Sequence, residues 1–94
     1  MTPEALSNLH GICFPQRPWS GEELVQLLAK PTTTCLTSPC ENGFALVQTV
    51  AGEAELLTIA VHPKAQRQGL ANALMQRVEA LPVDRVFLEV AADN

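Results

Sequence analysis

At 94 residues, against about 150 for an ordinary domain, the chain has length for one compact core and not for two. A chain this short buries only about 60–65% of the surface it exposes when unfolded, yet 47% apolar against 17% charged residues is too hydrophobic for a disordered segment. Six Lys and Arg against ten Asp and Glu leave a net charge of −4, which argues against a primary nucleic-acid or anionic-membrane surface, because either needs a dominant basic patch. A small ligand or a protein partner fits that balance better.

The first helix is expected to begin at Thr2 as N-cap with Pro3 at N1, and to place Leu6, Leu9, Ile12 and Cys13 at helical spacing until Pro15 ends it. The second carries a capping box, Ser20 and Glu23, flanked by a hydrophobic staple of Trp19 and Leu24, and Pro31 stops it after Lys30. From Thr32 the composition turns to strand formers: a strand over Thr32–Thr37, a turn over Ser38–Gly43, and a returning strand over Phe44–Ala51. Gly52 and Glu53 supply a tight connection. In the next strand, Glu55–His62, Leu57, Ile59 and Val61 are expected on one face and Leu56, Thr58 and Ala60 on the other, the pattern of a central strand covered on both sides. Pro63 closes it, a polar loop follows, and a helix opens near Gly69 with the stripe Leu70, Leu74, Met75, Val78 and Leu81. Pro82 breaks that helix, and Arg85–Ala91 reads as a last strand with Val86, Leu88 and Val90 opposite Phe87 and Glu89. There is no internal repeat, and the whole chain reads as a single domain, 1–94.

No apolar run approaches the roughly 18 residues of a membrane span. The start MTPEALSNLH has neither the basic nor the apolar region of a secretory leader, and three cysteines, Cys13, Cys35 and Cys40, read as reduced thiols. A cytoplasmic protein is the expectation. Cys35 and Cys40 do not converge with His10 or His62 by any metal-ligand spacing, so no metal site is expected.

The segment richest in chemistry is strand, polar loop, small-residue turn and helix over His62–Ala73. Such a turn aims free backbone N–H groups and the positive end of a helix dipole at one point, where phosphate oxygens can sit. Gly69 and Ala71 leave room for close approach, and Lys64 and Arg67 add positive charge. The same arrangement also serves in many proteins as a packing turn, so the residues by themselves leave both roles open. Neither the P-loop Gly-Lys-Ser/Thr nor the dinucleotide-binding G-x-G-x-x-G is present.

AELLTIAVHPKAQRQGLANALM, Ala54–Met75, resembles the acetyl-coenzyme A motif of the GNAT N-acetyltransferases, whose core is Gln/Arg-x-x-Gly-x-Gly/Ala; here it runs Gln66, Arg67, Gln68, Gly69, Leu70, Ala71. CFPQRPWSGEEL and VFLEVAADN resemble the branch that acetylates the N-terminal alanine of a ribosomal protein, the RimI type. The resemblance implies an α/β (α+β) fold: a mixed, mostly antiparallel sheet with helices on both faces. It implies acetyl-CoA as cosubstrate, with Ile59, Ala60 and Val61 presenting backbone to the pantetheine and acetyl group. Gln66, Arg67, Gln68, Gly69, Leu70, Ala71 and Asn72 would cradle the pyrophosphate, Asn94 would touch the cofactor, and Glu89 would be general base. In that family the amine attacks the thioester directly, without an acyl-enzyme, and the segment around Trp19 borders the acceptor groove.

The chemistry agrees with an N-terminal acceptor. An α-amino group with pKa about 7.7–8.0 is substantially neutral near pH 7.4, whereas a lysine at about 10.4 is neutral about once in a thousand. The family continues past the position of Asn94 with a helix whose tyrosine protonates the leaving thiolate, and this sequence holds no tyrosine. The resemblance therefore implies a C-terminally truncated form lacking that helix and the later strands, its last strand an exposed edge on which a second copy can pair. Two other readings stay in view: a non-catalytic acyl-CoA-binding or self-associating module, and an acetyltransferase of a small-molecule amine.

Overall fold

The computed structural model describes residues 1–66 and 68–88. Helices α1 (Pro3–Cys13) and α2 (Gly21–Leu28) come first, then strands β1 (Thr33–Thr37), β2 (Gly43–Val50) and β3 (Glu53–Val61), helix α3 (Leu70–Glu79) and strand β4 (Arg85–Leu88). Single 3₁₀ turns at Pro39–Glu41 and Pro63–Ala65 interrupt the connections.

Both early helices start as their sequences dictate. Thr2 Oγ1 accepts the Ala5 N–H at 3.1 Å with Pro3 opening α1. Ser20 Oγ accepts the Glu23 N–H at 3.2 Å, and Glu23 Oε1 accepts the Ser20 N–H at 3.3 Å. Helix α2 stops at Leu28, two residues before the expected Lys30, because the Lys30 N–H turns back to Leu27 O at 3.1 Å and tightens the last turn. On α1 the expected stripe is corrected at one position: Ile12 is half exposed, while His10 is only 3% exposed. The inward set is therefore the buried Leu6, Leu9 and His10 with the partly buried Cys13, an i, i+3, i+4, i+7 series in which His10 takes an apolar residue's place.

The sheet runs β1-β2-β3-β4 in chain order; β1–β2 and β2–β3 are antiparallel and β3–β4 is parallel. The β2–β3 turn is Ala51–Gly52, both at positive φ (53° and 79°), as a two-residue hairpin connection demands. The connection expected at Gly52–Glu53 thus sits one residue earlier, and Glu53 already pairs with Val50 and Arg85. Helices α1 and α2 cover one face around Leu6, Leu9, Leu24, Phe44, Leu46 and Ala60. Helix α3 covers the other around Ala45, Val47, Ala54, Leu56 and Val78. This is the mixed, mostly antiparallel sheet with helices on both faces.

The unbroken alternation expected of β3 is corrected. Leu46 pairs with Thr58 but Val47 pairs with Leu56, so Leu57 is an extra residue opposite β2, a β-bulge. Across it the faces exchange: Leu57 packs with the α1/α2 core, whereas Ile59 joins Leu56 in the α3 core. Leu57, Ile59 and Val61 therefore do not share a face. In β4, Val86 packs into the α3 core and Phe87 is half exposed. The rest of the expected strand, including Val90, lies outside the described residues.

Candidate functional site

Strand β3 ends at Val61, and the chain reaches α3 through a turn that its own side chains brace. His62 Nδ1 accepts the Lys64 N–H at 3.1 Å, and Gln66 Nε2 donates to Val61 O at 3.3 Å. The Cys13 thiol donates to the same Val61 carbonyl at 3.3 Å, tying the end of α1 to the end of β3. Gly69 then occupies the N-cap of α3 in the left-handed region (φ 76°), with no side-chain cap bond at the helix start. A β-carbon built on Gly69 meets nothing within 4 Å, so glycine is required there by backbone conformation and not by crowding. The first helix bond is the Ala73 N–H to Gly69 O at 3.0 Å, so the amides of Leu70, Ala71 and Asn72 precede the ladder and face the turn.

These elements enclose a shallow cavity of about 250 Å³ lined by Val61, Ala65, Gln66, Gly69, Leu70, Ala71 and Asn72. Six of the residues expected at a cofactor are thus brought together. Ala65, which no sequence signal marks, joins them because the 3₁₀ turn over Pro63–Ala65 folds it inward to 4% exposure. Gln68 is exposed beside the cavity without lining it. Ile59 and Ala60 give their side chains to the α3 and α1/α2 cores, leaving only backbone available to a ligand. Pairing of β3 with β4 is described only as far as Leu56↔Leu88, while β3 itself continues to Val61. Arg67, Glu89 and Asn94 lie outside the described residues.

A bare helix start with a left-handed glycine and an open cavity suits phosphate oxygens. Among known proteins, the model of the Acetyltransferase (GNAT) family matches residues 4–94. The chain belongs to the GNAT family. The [ribosomal protein bS18]-alanine N-acetyltransferase of Escherichia coli K12 is 46% identical over 55 residues, covering 54% of this GNAT chain and 37% of that protein. The crystal structure of the E. coli ribosomal-protein-S18-alanine N-acetyltransferase superposes with a TM-score of 0.82 at 31% identity, over 98% of this chain and 63% of that one. The matched stretch spans little more than a third of the curated relatives' length, and the whole chain just under two thirds of the E. coli structure. The fold is also that of the aminoglycoside acetyltransferase AAC(6')-Iy, solved with a CoA-S-monomethyl-acetylneamine bisubstrate analogue (TM-score 0.71, 17% identity, 98% of this chain and 75% of that one).

A second group in this GNAT domain was not read from the sequence. The His10 ring stacks on Trp19 with centroids 4.8 Å apart and lies 4.6 Å from Phe14. His10 Nδ1 accepts the Trp19 backbone N–H at 3.1 Å, an arrangement that requires the neutral ring with its proton on Nε2 and Nδ1 bare. Burial pushes the His10 pKa below its ordinary 6.5, and the nearby Glu23 carboxylate opposes that in part. A folded pKa below the unfolded one means that the unfolded chain binds the proton more readily. Stability therefore rises with pH through this window and is lost as pH falls below about 6.5. Denaturant midpoints at pH 5.0 and 7.5 are expected to differ more in the wild type than in His10→Asn, whose amide oxygen can accept the same N–H; an equal difference would rule His10 out. Burial likewise pushes the Cys13 and Cys35 thiols up, away from thiolate reactivity. Among the described residues no three of His, Cys, Asp and Glu gather as a metal site, and no helix is long and apolar enough to cross a membrane.

Proposed function

We propose that the chain is the acetyl-CoA-binding part of an N-acetyltransferase that transfers acetyl to an amine, the α-amino group of a protein N-terminus. The cavity at the start of α3, built on the left-handed Gly69, carries this reading. Its open space admits phosphate oxygens to the Leu70, Ala71 and Asn72 amides, and Lys64 and Arg67 supply charge in an otherwise acidic chain. Gln66, Gln68 and Asn94 complete the polar contacts. The backbone of Ile59, Ala60 and Val61 receives the pantetheine arm, one N–H polarising the thioester carbonyl as negative charge develops on it. Glu89 accepts the amine proton, directly or through one water, as the C–N bond forms and the C–S bond breaks. The raised thiols of Cys13 and Cys35 are poor nucleophiles, which supports direct transfer over an acyl-cysteine intermediate. The names of the E. coli relatives support the alanine of a ribosomal protein as acceptor. A second copy paired along the last strand belongs to the same reading.

Titration calorimetry with acetyl-CoA tests the cradle. Aspartate tolerates a left-handed backbone, meets no neighbour at this site, and places its charge favourably at a helix start. Gly69→Asp should therefore cost no more than about 1–2 kcal/mol of stability, the penalty of a left-handed backbone, while weakening acetyl-CoA binding about tenfold or more through like-charge juxtaposition with the pyrophosphate. Equal affinity in the two proteins would place the cofactor elsewhere. Acetyl transfer to a peptide with a free N-terminal alanine, and not to its N-blocked lysine-bearing counterpart, tests the acceptor.

A further inference from the structure

One peptide unit at the edge of the cradle is held by three separate segments: the Val61–His62 bond, where β3 gives way to the turn. We infer that Cys13 is a positioning residue for the cradle: its thiol proton completes the hold on that peptide and, through it, sets the affinity of the turn for acetyl-CoA. The inference rests on the acetyltransferase reading and adds to it a residue that does not itself line the site.

The Val61–His62 peptide is trans and so turns its N–H and C=O to opposite sides. The His62 N–H donates to Asn42 O at 2.8 Å, toward the start of β2. The Val61 carbonyl therefore faces the other edge of β3, along which β4 pairs as far as Leu56. There it accepts two side-chain donors, the Cys13 thiol at 3.3 Å and Gln66 Nε2 at 3.3 Å, which engage both of its lone pairs. Cys13 is the last residue of α1, so this bond ties the first helix to the root of the turn.

The two donors are not equivalent. Gln66 is exposed and water competes for its amide, whereas Cys13 is partly buried and packs against the α1/α2 core. Burial also pushes the Cys13 pKa up, so the sulfur keeps its proton at neutral pH and stays a donor. Val61 and Gln66 line the cavity and Cys13 does not, so the thiol acts on a ligand only through the carbonyl it holds. Without it, the 3₁₀ turn over Pro63–Ala65 keeps only the water-exposed anchor, and a lone pair left bare beside the cradle opposes phosphate oxygens. Cys35 is a matched reference: also partly buried against the same core, it makes no such bond among the described residues.

Substitution separates donor from filler. Cys13→Val keeps the bulk and removes the proton, Cys13→Ser keeps a donor and loses apolar bulk, and Cys13→Ala removes both without crowding the end of α1. Two quantities are read in each and in Cys35→Val. One is hydrogen exchange of the Ala65 N–H, which bonds to His62 O at 2.8 Å inside the turn; the other is acetyl-CoA affinity by titration calorimetry. The valine and alanine variants of Cys13 should exchange Ala65 about two- to fivefold faster and bind acetyl-CoA about two- to fivefold more weakly, the range of one weak side-chain hydrogen bond. Cys13→Ser should restore both, although its melting midpoint falls below that of Cys13→Val because a hydroxyl is costlier to bury. Cys35→Val should change neither. A serine no better than valine, or exchange and affinity that track the melting midpoint, would overturn the inference. Because exchange is read without ligand, the two readings fail separately. Donor-dependent exchange in a chain that binds no acetyl-CoA upholds the hold on the turn and removes the cofactor reading. Acetyl-CoA binding with exchange and affinity indifferent to the donor does the reverse.

Discussion

Phe44→Ala should abolish the cooperative thermal transition of this domain or lower its midpoint by roughly 15–30 °C. Phe44 is fully buried at the centre of the α1/α2 core, touching a cluster of Leu6, Leu9, Leu24, Leu46 and Ala60. Truncating a buried phenylalanine costs about 3–5 kcal/mol through lost transfer energy and the cavity left behind. A chain of this length has a total stability of roughly 5–14 kcal/mol, and each kcal/mol is worth about 4–8 °C. No other fully buried side chain of the described core is larger. Phe87→Ala is the matched control: the same atoms are removed from a half-exposed position, and the midpoint should move only a few degrees. Circular dichroism melts of the two variants decide the matter. A Phe44→Ala midpoint within a few degrees of wild type would mean that this core is not what holds the sheet to its helices.

Glu89→Gln should lower the turnover number for N-terminal acetylation about 10²- to 10⁴-fold, the range of general-base catalysis, with acetyl-CoA affinity unchanged. The substitution preserves size and hydrogen-bonding capacity and removes only the ability to take a proton at neutral pH. An acceptor α-amine titrates at about 7.7–8.0, so raising the pH supplies more of the neutral nucleophile. The deficit should therefore shrink as pH rises through 8 toward 9. Steady-state kinetics across that range, in a chain that carries out the transfer, make the measurement. A turnover number within threefold of wild type, or a deficit independent of pH, would remove Glu89 from proton transfer.

Much of the fold was legible in the sequence because its signals are local. Thr2, Pro3, Ser20 and Glu23 set the helix starts by hydrogen bonds spanning three residues, and each bond is present at the position read from the chain. The turn into α3 was legible for the same reason: a glycine between a strand-ending proline and a helical stripe has few conformations open to it, and φ 76° is one that only glycine adopts freely. What stayed hidden depends on contacts between distant segments. The bulge at Leu57 leaves no trace in a strand whose two faces are both apolar, since exchanging the faces exchanges one hydrophobe for another. His10 reads as polar, yet its acceptor atom is satisfied by a backbone donor nine residues away and its ring by two aromatic neighbours. Ala65 enters the cavity only once the turn before it has closed.

Sheet order that matches chain order bears on assembly. The β1–β2 and β2–β3 contacts close over short spans, residues 38–42 and Ala51–Gly52, whereas β4 reaches β3 only after residues 62–84 have crossed over through α3. Loop-closure entropy favours the short spans, and a two-residue hairpin forms within about 1–10 μs. Every residue that lines the cradle beyond Val61 belongs to the one long crossover. The antiparallel meander is thus a platform that can be complete before the turn at Gly69 is locked down, and anything that steadies that turn acts on the latest joint of the sheet.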